Sequence, residues 1–250
     1  VMIGEGEESL PEVMNIYSKY KGKSYPGMKN EFLLEVAINV KGAYVPSLYR
    51  AEYDKAGKFS SIAPTHEGVP EKIQKRIIRK MDEVYFPEKI LVPNIDVVHS
   101  RIMLELFRGC TRGCRFCQAG IVYRPIRERS KEKLLEIAEK LIRATGYEEV
   151  SLTSLSSSDY SKIEELLDEL DEKYTCENLS LSLPSLRLDN FSIEMAEKVQ
   201  KGRRSGLTFA PEAGTQRLRD VINKGVTKED LIRTSKKAFE SGWSNLKLYF

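Results

Sequence analysis

The sequence predicts an α/β protein. A parallel sheet covered by helices is expected over residues 101–250, behind a small mixed α+β segment over residues 1–100. Three observations carry this. From Arg101 onward five strand-like stretches are joined by four helical crossovers, the last made of two helices, and such alternation builds parallel sheets. The helical stretches carry one-sided apolar stripes with capping residues at their starts. The composition is that of a globular chain, with 41% hydrophobic and 31% charged residues. Its 250 residues allow one or two domains at roughly 150 residues per domain.

Taken in order, Ile102 to Phe107 reads as a strand. Ser130 to Ala144 reads as a helix with Ser130 as N-cap and Leu134, Leu135, Ile137, Ala138, Leu141 and Ile142 as its stripe. Strands follow at Val150 to Leu155, Leu179 to Leu183, Leu207 to Phe209 and Leu246 to Phe250. The helices between them are Ser161 to Tyr174, Ser192 to Gln200, Thr215 to Ile222 and Thr227 to Glu240. A barrel and an open doubly wound sheet both fit this order, and in both the reactive groups gather on loops leaving the C-terminal ends of strands.

Ahead of this zone the pattern is mixed. Leu10 to Tyr20 reads as a helix with Pro11 in its first turn. Tyr25-Pro26-Gly27 is a turn, and Tyr44 to Tyr53 with Lys58 to Ile62 forms a hairpin across Asp54-Lys55-Ala56-Gly57. Pro70 to Met81 is predicted to be an amphipathic helix with Ile73, Ile77 and Met81 on one face; its basic residues form a solvated face. The opening residues Val1 to Glu7 read as a strand entering a glycine turn. The closing residues read as a strand without a neighbour, so the chain is expected to be an excerpt of a longer protein.

Several function classes are excluded early. No run of apolar side chains exceeds three residues, whereas a membrane helix needs about twenty. No charged-then-apolar leader opens the chain, so a cytoplasmic location is expected. The net charge of +3 is too small to argue for nucleic acid.

The cysteines are more telling. Four Cys are too few for a disulfide scaffold, yet three fall at Cys110, Cys114 and Cys117. They lie in Arg108-Gly109-Cys110-Thr111-Arg112-Gly113-Cys114-Arg115-Phe116-Cys117-Gln118-Ala119-Gly120, directly after the first strand. Thiolates select zinc or iron–sulfur, and the neighbouring Arg108, Arg112 and Arg115 favour the thiolate form. A structural zinc site closes with four protein ligands, and an electron-transfer cluster takes four Cys. Three ligands leave one iron open to an exogenous molecule. Cys176 falls between a helix and the third strand, on the opposite face of the sheet, and reads as a small buried hydrophobe. His66 and His99, the two histidines, also lie away from the strand-end loops, which disfavours a Cys–His nucleophile.

The Cys-x3-Cys-x2-Cys loop, with Phe116 before its last Cys and a β-strand before its first, resembles the signature of the radical S-adenosylmethionine (radical SAM) superfamily. The resemblance covers Arg101 to Phe250. It implies a full or partial (β/α) barrel, of which this chain would hold a part, and a [4Fe-4S] cluster held by Cys110, Cys114 and Cys117. It also implies S-adenosylmethionine chelated to the open iron, one-electron cleavage to a 5′-deoxyadenosyl radical, and a reductant such as ferredoxin or flavodoxin. Arg108 to Gly120, Tyr123 to Ser130 and Ala210 to Arg219 are similar, more narrowly, to an uncharacterised bacterial family carrying a cobalamin-binding-like domain ahead of the barrel. Val1 to Glu7 resembles the tail of such a domain; cobalamin would be bound only through that domain, which this chain lacks.

The resemblance also points to further site residues. Where many members place Gly-Gly-Glu after the second strand, this chain has Thr153-Ser154-Leu155-Ser156-Ser157-Ser158-Asp159, a departure that leaves Ser156 or Ser157 to meet the methionine amino group, or the loop to serve as a plain cap. Arg187, after the third strand, has the planar fork for the methionyl carboxylate, or forms a surface ion pair. Glu212, after Pro211, is expected near S-adenosylmethionine, or stabilises a helix N-terminus. Seven Arg against two Glu between Arg101 and Ser130 either face an anionic cluster or phosphate-bearing substrate such as RNA, or pair among barrel loops. An unknown RNA or small-molecule substrate and methyl or methylthio transfer are open by analogy. An iron–sulfur electron-transfer module and a zinc-stabilised interaction domain remain as alternatives.

Overall fold

A computed structural model describes residues 1–95, 97–174, 179–184, 187–188 and 207–250. The chain divides into two compact units, Val1–Arg79 and Lys80–Phe250.

In the first unit, helices α1 (Ser9–Ser18) and α2 (Met28–Asn39) pack through Ile16, Val36, Val40 and Ala43. The sequence reading assigns no element to α2. Its apolar residues, Phe32-Leu33-Leu34 and Val36-Ala37-Ile38, are too contiguous to draw a single stripe. The structure uses them on two sides, Val36 toward α1 and Ala37 toward a second cluster with Val45, Leu48 and Val69. The hairpin forms from β1 (Tyr49–Tyr53) and β2 (Phe59–Pro64), antiparallel, with Asp54 Oδ1 accepting from the amides of Ala56 and Lys58 in the turn.

The helix expected over Pro70 to Met81 does not form. Arg76 is extended and bridges Gly4 in parallel: its amide donates to the Ile3 carbonyl at 2.9 Å, and its carbonyl accepts from the Glu5 amide at 3.2 Å. Its guanidinium reaches Glu8, just ahead of α1, and Glu12 in its first turn at 2.8 and 2.7 Å. A helix would direct the Arg76 amide to the fourth residue before it and forfeit these bonds, so long-range pairing overrides the local period. The opening residues meet the rest of the unit through isolated bridges rather than a strand.

The second unit holds the predicted parallel core as a partial (β/α) barrel. Strand β3 (Ile102–Glu105) pairs in parallel with β6 (Glu149–Thr153), which pairs in parallel with β7 (Ser180–Ser182). Helix α4 (Lys131–Thr145) follows the N-cap Ser130, whose hydroxyl accepts from the Lys133 amide, and stops at Gly146 in the left-handed region. Leu134, Ile137, Ala138 and Leu141 of α4 and Leu166, Leu167 and Leu170 of α5 (Ile163–Tyr174) bury against Ile102, Leu104, Val150 and Leu152. Strands β8 (Leu207–Phe209) and β9 (Leu246–Leu248) pair in parallel beside α6 (Gln216–Val221) and α7 (Lys228–Glu240). Leu207, Phe209, Val226, Ala238 and Trp243 form their core. The helix expected over Ser192 to Gln200, and Cys176, lie outside the described residues.

The first strand ends earlier than expected. After Glu105 the chain makes a short antiparallel pair, β4 (Phe107–Arg108) with β5 (Arg127–Glu128). This pair closes the base of the cysteine loop and hands the chain on to α4.

Candidate functional site

The cysteine loop leaves the C-terminal side of β3 and runs from Gly109 to Ile126 between the two halves of the β4–β5 pair, carrying the one-turn helix α3 (Ala119–Val122) after its last cysteine. Gly109 has φ 95°, and a Cβ there would lie 2.7 Å from the Pro125 carbonyl oxygen and 2.9 Å from that of Tyr123. Only glycine lets the outgoing backbone lie this close to the returning one. Cys110, Cys114 and Cys117 are free thiols, each half-buried.

The arginines flanking them are engaged. Arg108 forms a two-pronged pair with Glu105, at 2.8 and 3.0 Å. Arg112 forms another with Asp159 from the loop after β6, its Nε donating to Oδ2 at 2.7 Å. Arg115 donates its amide to the Ile222 carbonyl at 2.9 Å and its guanidinium to the Val221 carbonyl. Arg101 pairs with Glu149, and the buried Arg129 donates to the Met81 carbonyl and lies 3.6 Å from Glu105. Much of the positive charge between Arg101 and Ser130 is therefore answered by carboxylates and carbonyls within the barrel.

The other site residues expected from the sequence fall into two groups. Phe116, Arg187 and Glu212 converge on one residue, Lys224, in the turn between α6 and α7. Lys224 Nζ donates to Glu212 Oε1 at 3.3 Å and stands 5.9 Å from the centre of the half-exposed Phe116 ring. Arg187 donates to the Lys224 carbonyl at 3.0 Å. Glu212 sits at φ 67°, paired with Lys224; α6 begins only at Gln216, where Thr215 is the cap. Its carboxylate is thus an ion-pair partner and not a helix-start residue.

The serines divide differently. Ser156 is buried and donates to Asp159 Oδ2 at 2.7 Å, joining the Arg112 pair. Ser157 is fully buried and turned inward, donating to the Leu152 carbonyl at 3.0 Å with Ser154 Oγ at 3.1 Å. Ser158 carries a buried hydroxyl with no hydrogen-bond partner among the described residues, which leaves donor and acceptor capacity in this loop unspent. Burial pushes the Asp159 carboxyl upward, but hydrogen bonds from Arg112 and Ser156 and the charges of Arg112 and Arg187 together hold it below the ordinary carboxylate value.

Sequence reasoning missed Asp159, Asn223 and Lys224. Asn223 donates from its side-chain amide to the Gly113 carbonyl at 2.9 Å. The order Asn223-Lys224-Gly225 at the end of the predicted helix is a stop signal, and it is the local mark that could have found this turn. His99 lies against Arg101 ahead of β3, and His66 against Thr65, so neither histidine is placed beside the thiols by a contact.

A single-ion site draws its thiolates to about 2.3 Å from one point. Among the described residues no three His, Cys, Asp or Glu side chains are grouped tightly enough for that. A four-iron cluster makes a different demand, because each cysteine binds its own iron and the sulfurs share no centre. Three free, half-buried thiols on one strand-end loop, with carboxylates nearby already paired to arginines, fit such a cluster better than a closed zinc shell.

Among known proteins, an uncharacterized protein of Methanocaldococcus jannaschii is 35% identical over 148 residues, covering 59% of this chain and 32% of its own. A putative methylthiotransferase of the same organism is 26% identical over 152 residues, covering 57% of this chain and 33% of its own. The chain thus spans about a third of the length of these relatives. The solved structure of the cobalamin-dependent S-adenosylmethionine radical enzyme OxsB, with aqua-cobalamin and S-adenosylmethionine bound, superposes with a TM-score of 0.57 at 16% identity. It covers 98% of this chain and 32% of that one, a likeness of fold. Residues 104–250, more than half of the chain and all of the cysteine loop, match the sequence model of the Radical SAM superfamily, and the chain belongs to that superfamily.

Proposed function

We propose that this chain binds a [4Fe-4S] cluster through Cys110, Cys114 and Cys117, and S-adenosylmethionine on the open iron. The observation that carries the reading is the Cys-x3-Cys-x2-Cys loop with all three thiols free at the C-terminal side of a parallel strand, in a chain of this superfamily. If bound and reduced, such a cluster would supply the one electron needed for reductive cleavage of the sulfonium to methionine and a 5′-deoxyadenosyl radical, which would take hydrogen from a substrate.

The chain's own residues bind and orient. The three cysteines hold the iron as thiolates. The loop after β6 offers the hydroxyls of Ser156 and Ser158 to the methionyl amino group; Ser158 has its bonding capacity unspent. Ser157 is committed to the Leu152 carbonyl and takes part only as a support of that loop. Arg187 offers its guanidinium to the carboxylate, and Glu212, held by Lys224, borders the same space. Phe116 presents an exposed aromatic face beside Cys117.

A reductant such as ferredoxin or flavodoxin would deliver the electron. Methyl or methylthio transfer to an RNA or a small molecule is the net reaction we favour, supported by the putative methylthiotransferase among the relatives. Cobalamin would enter through a domain outside this chain, and no residue here is assigned to it. Among the described residues no helix is long and apolar enough to cross a membrane.

Anaerobic reconstitution tests the reading. It is expected to give a brown protein with about four iron per chain, and dithionite with S-adenosylmethionine is expected to release 5′-deoxyadenosine. Iron uptake without cleavage would favour the electron-transfer module, and zinc without iron the interaction domain; either result overturns the proposal.

A further inference from the structure

The cysteine loop is pinned at two places. Gly109 fixes its base against Tyr123 and Pro125. Its middle is gripped by the turn that ends α6. Asn223 Nδ2 donates to the Gly113 carbonyl at 2.9 Å and faces that of Arg112 at 3.5 Å, while the Ile222 and Val221 carbonyls accept from the Arg115 amide and guanidinium. Three residues flanking Cys114 are therefore held by one short turn.

That turn is itself rigidly built. The Lys224 amide donates to the Arg219 carbonyl and the Asn223 amide to the Asp220 carbonyl, the paired bonds of a helix end whose next residue is left-handed. Asn223 occupies the left-handed position at φ 53°, where glycine is the usual residue. The buried Arg219 guanidinium ties the same helix to the Val226 and Ala213 carbonyls. For the helix end alone, glycine would serve as well as asparagine. What asparagine adds is a side-chain donor, and that donor is spent on the cysteine loop.

We infer that Asn223 is a positioning residue for Cys114: its amide fixes the loop backbone so that the second thiol stands at the place the cluster requires. The inference rests on the proposed cluster, which Asn223 does not touch.

Two variants test it. Asn223→Gly keeps the left-handed backbone at no strain and removes the amide. Asn223→Asp keeps size and backbone tolerance but turns a carboxylate toward the Gly113 carbonyl. Both are expected to fold, with Asn223→Gly melting only about 1–6 °C below the parent, the cost of one hydrogen bond, and Asn223→Asp somewhat lower. In the reduced, iron-free chain, iodoacetamide labelling read by mass spectrometry should speed at Cys114 by roughly two- to tenfold, the size of one neutral hydrogen bond. Cys110 and Cys117 should keep their rates. In the reconstituted chain, the EPR line shape of the reduced cluster should change with and without S-adenosylmethionine. Asn223→Asp should be affected more than Asn223→Gly, because a carboxylate repels the carbonyl it faces.

Unchanged Cys114 labelling together with a superimposable EPR spectrum in both variants would overturn the inference. The labelling arm needs no iron. A parent chain that takes up no cluster would therefore sink the proposed function, and the positioning role would still be decided by the thiol rates.

Discussion

Gly109→Ala probes how far the cysteine loop depends on backbone meeting backbone. At φ 95° the new side chain would sit in a region costing L-residues about 1–2 kcal/mol. Its Cβ would lie 2.7 Å from the Pro125 oxygen, 2.9 Å from the Tyr123 oxygen and 3.0 Å from Ile126 Cα. All three are main-chain atoms pinned by β5, so relief requires moving the loop base, which adds about 1–3 kcal/mol. A central value of about 3 kcal/mol lowers the melting temperature of a domain of this size by about 6–12 °C. Gly113→Ala is the control. It has φ 69°, but its Cβ meets nothing closer than Asn223 Nδ2 at 3.5 Å. It carries the conformational cost alone, about 1 kcal/mol, or about 2–4 °C. Thermal unfolding of the iron-free chain followed by circular dichroism reads both. Equal shifts for the two variants, or a Gly109→Ala shift under about 2 °C, would refute the close-approach argument.

Three further outcomes are expected. Replacing Cys110, Cys114 and Cys117 together by Ser should abolish iron uptake while leaving the far-ultraviolet spectrum intact, because the sheet core lies elsewhere; a spectrum losing its helical signal would contradict a purely ligating role. Because the Asp159 carboxyl is held below its ordinary value, it contributes stability above pH about 4 that is lost as the pH falls through its lower folded value; Asp159→Asn should flatten the acid side of a pH–stability curve, and an unchanged acid slope would show that the Arg112 pair contributes nothing. Thr227→Ala removes the side-chain half of the capping box, the hydroxyl that accepts from the Asp230 amide and donates to its carboxylate, and should cost about 1 kcal/mol in urea unfolding, with an unchanged m-value.

The parallel half of the fold was legible because its signals are local. Ser130, the stripe Leu134–Leu141 and Gly146 spell out α4 at both ends, and Thr227 with Asp230 does the same for the start of α7. The helix expected over Pro70 to Met81 failed for the opposite reason: the period was present, but Arg76 gains more from Ile3, Glu8 and Glu12, more than sixty residues away, than from its own turn. The candidate site divides in the same way. Three thiols in eight residues announce themselves. Asp159 and Asn223 become visible only when the fold brings them to Arg112 and Gly113, 47 and 110 positions away in the chain. The arginine-rich stretch was the least decidable feature from sequence, since its partners Glu149 and Asp159 lie outside it.

The antiparallel clip of Phe107–Arg108 on Arg127–Glu128 has a bearing on how the proposed cluster would be lost and regained. Many small metal modules are shapeless until their ion arrives, and chelators denature them. Here the two ends of the thiol-bearing segment are fastened to each other by main-chain bonds that owe nothing to a ligand. Stripping the metal should therefore leave a vessel ready for refilling. Loss and return of the inorganic centre, as after a burst of oxidant, would then proceed without a round of unfolding.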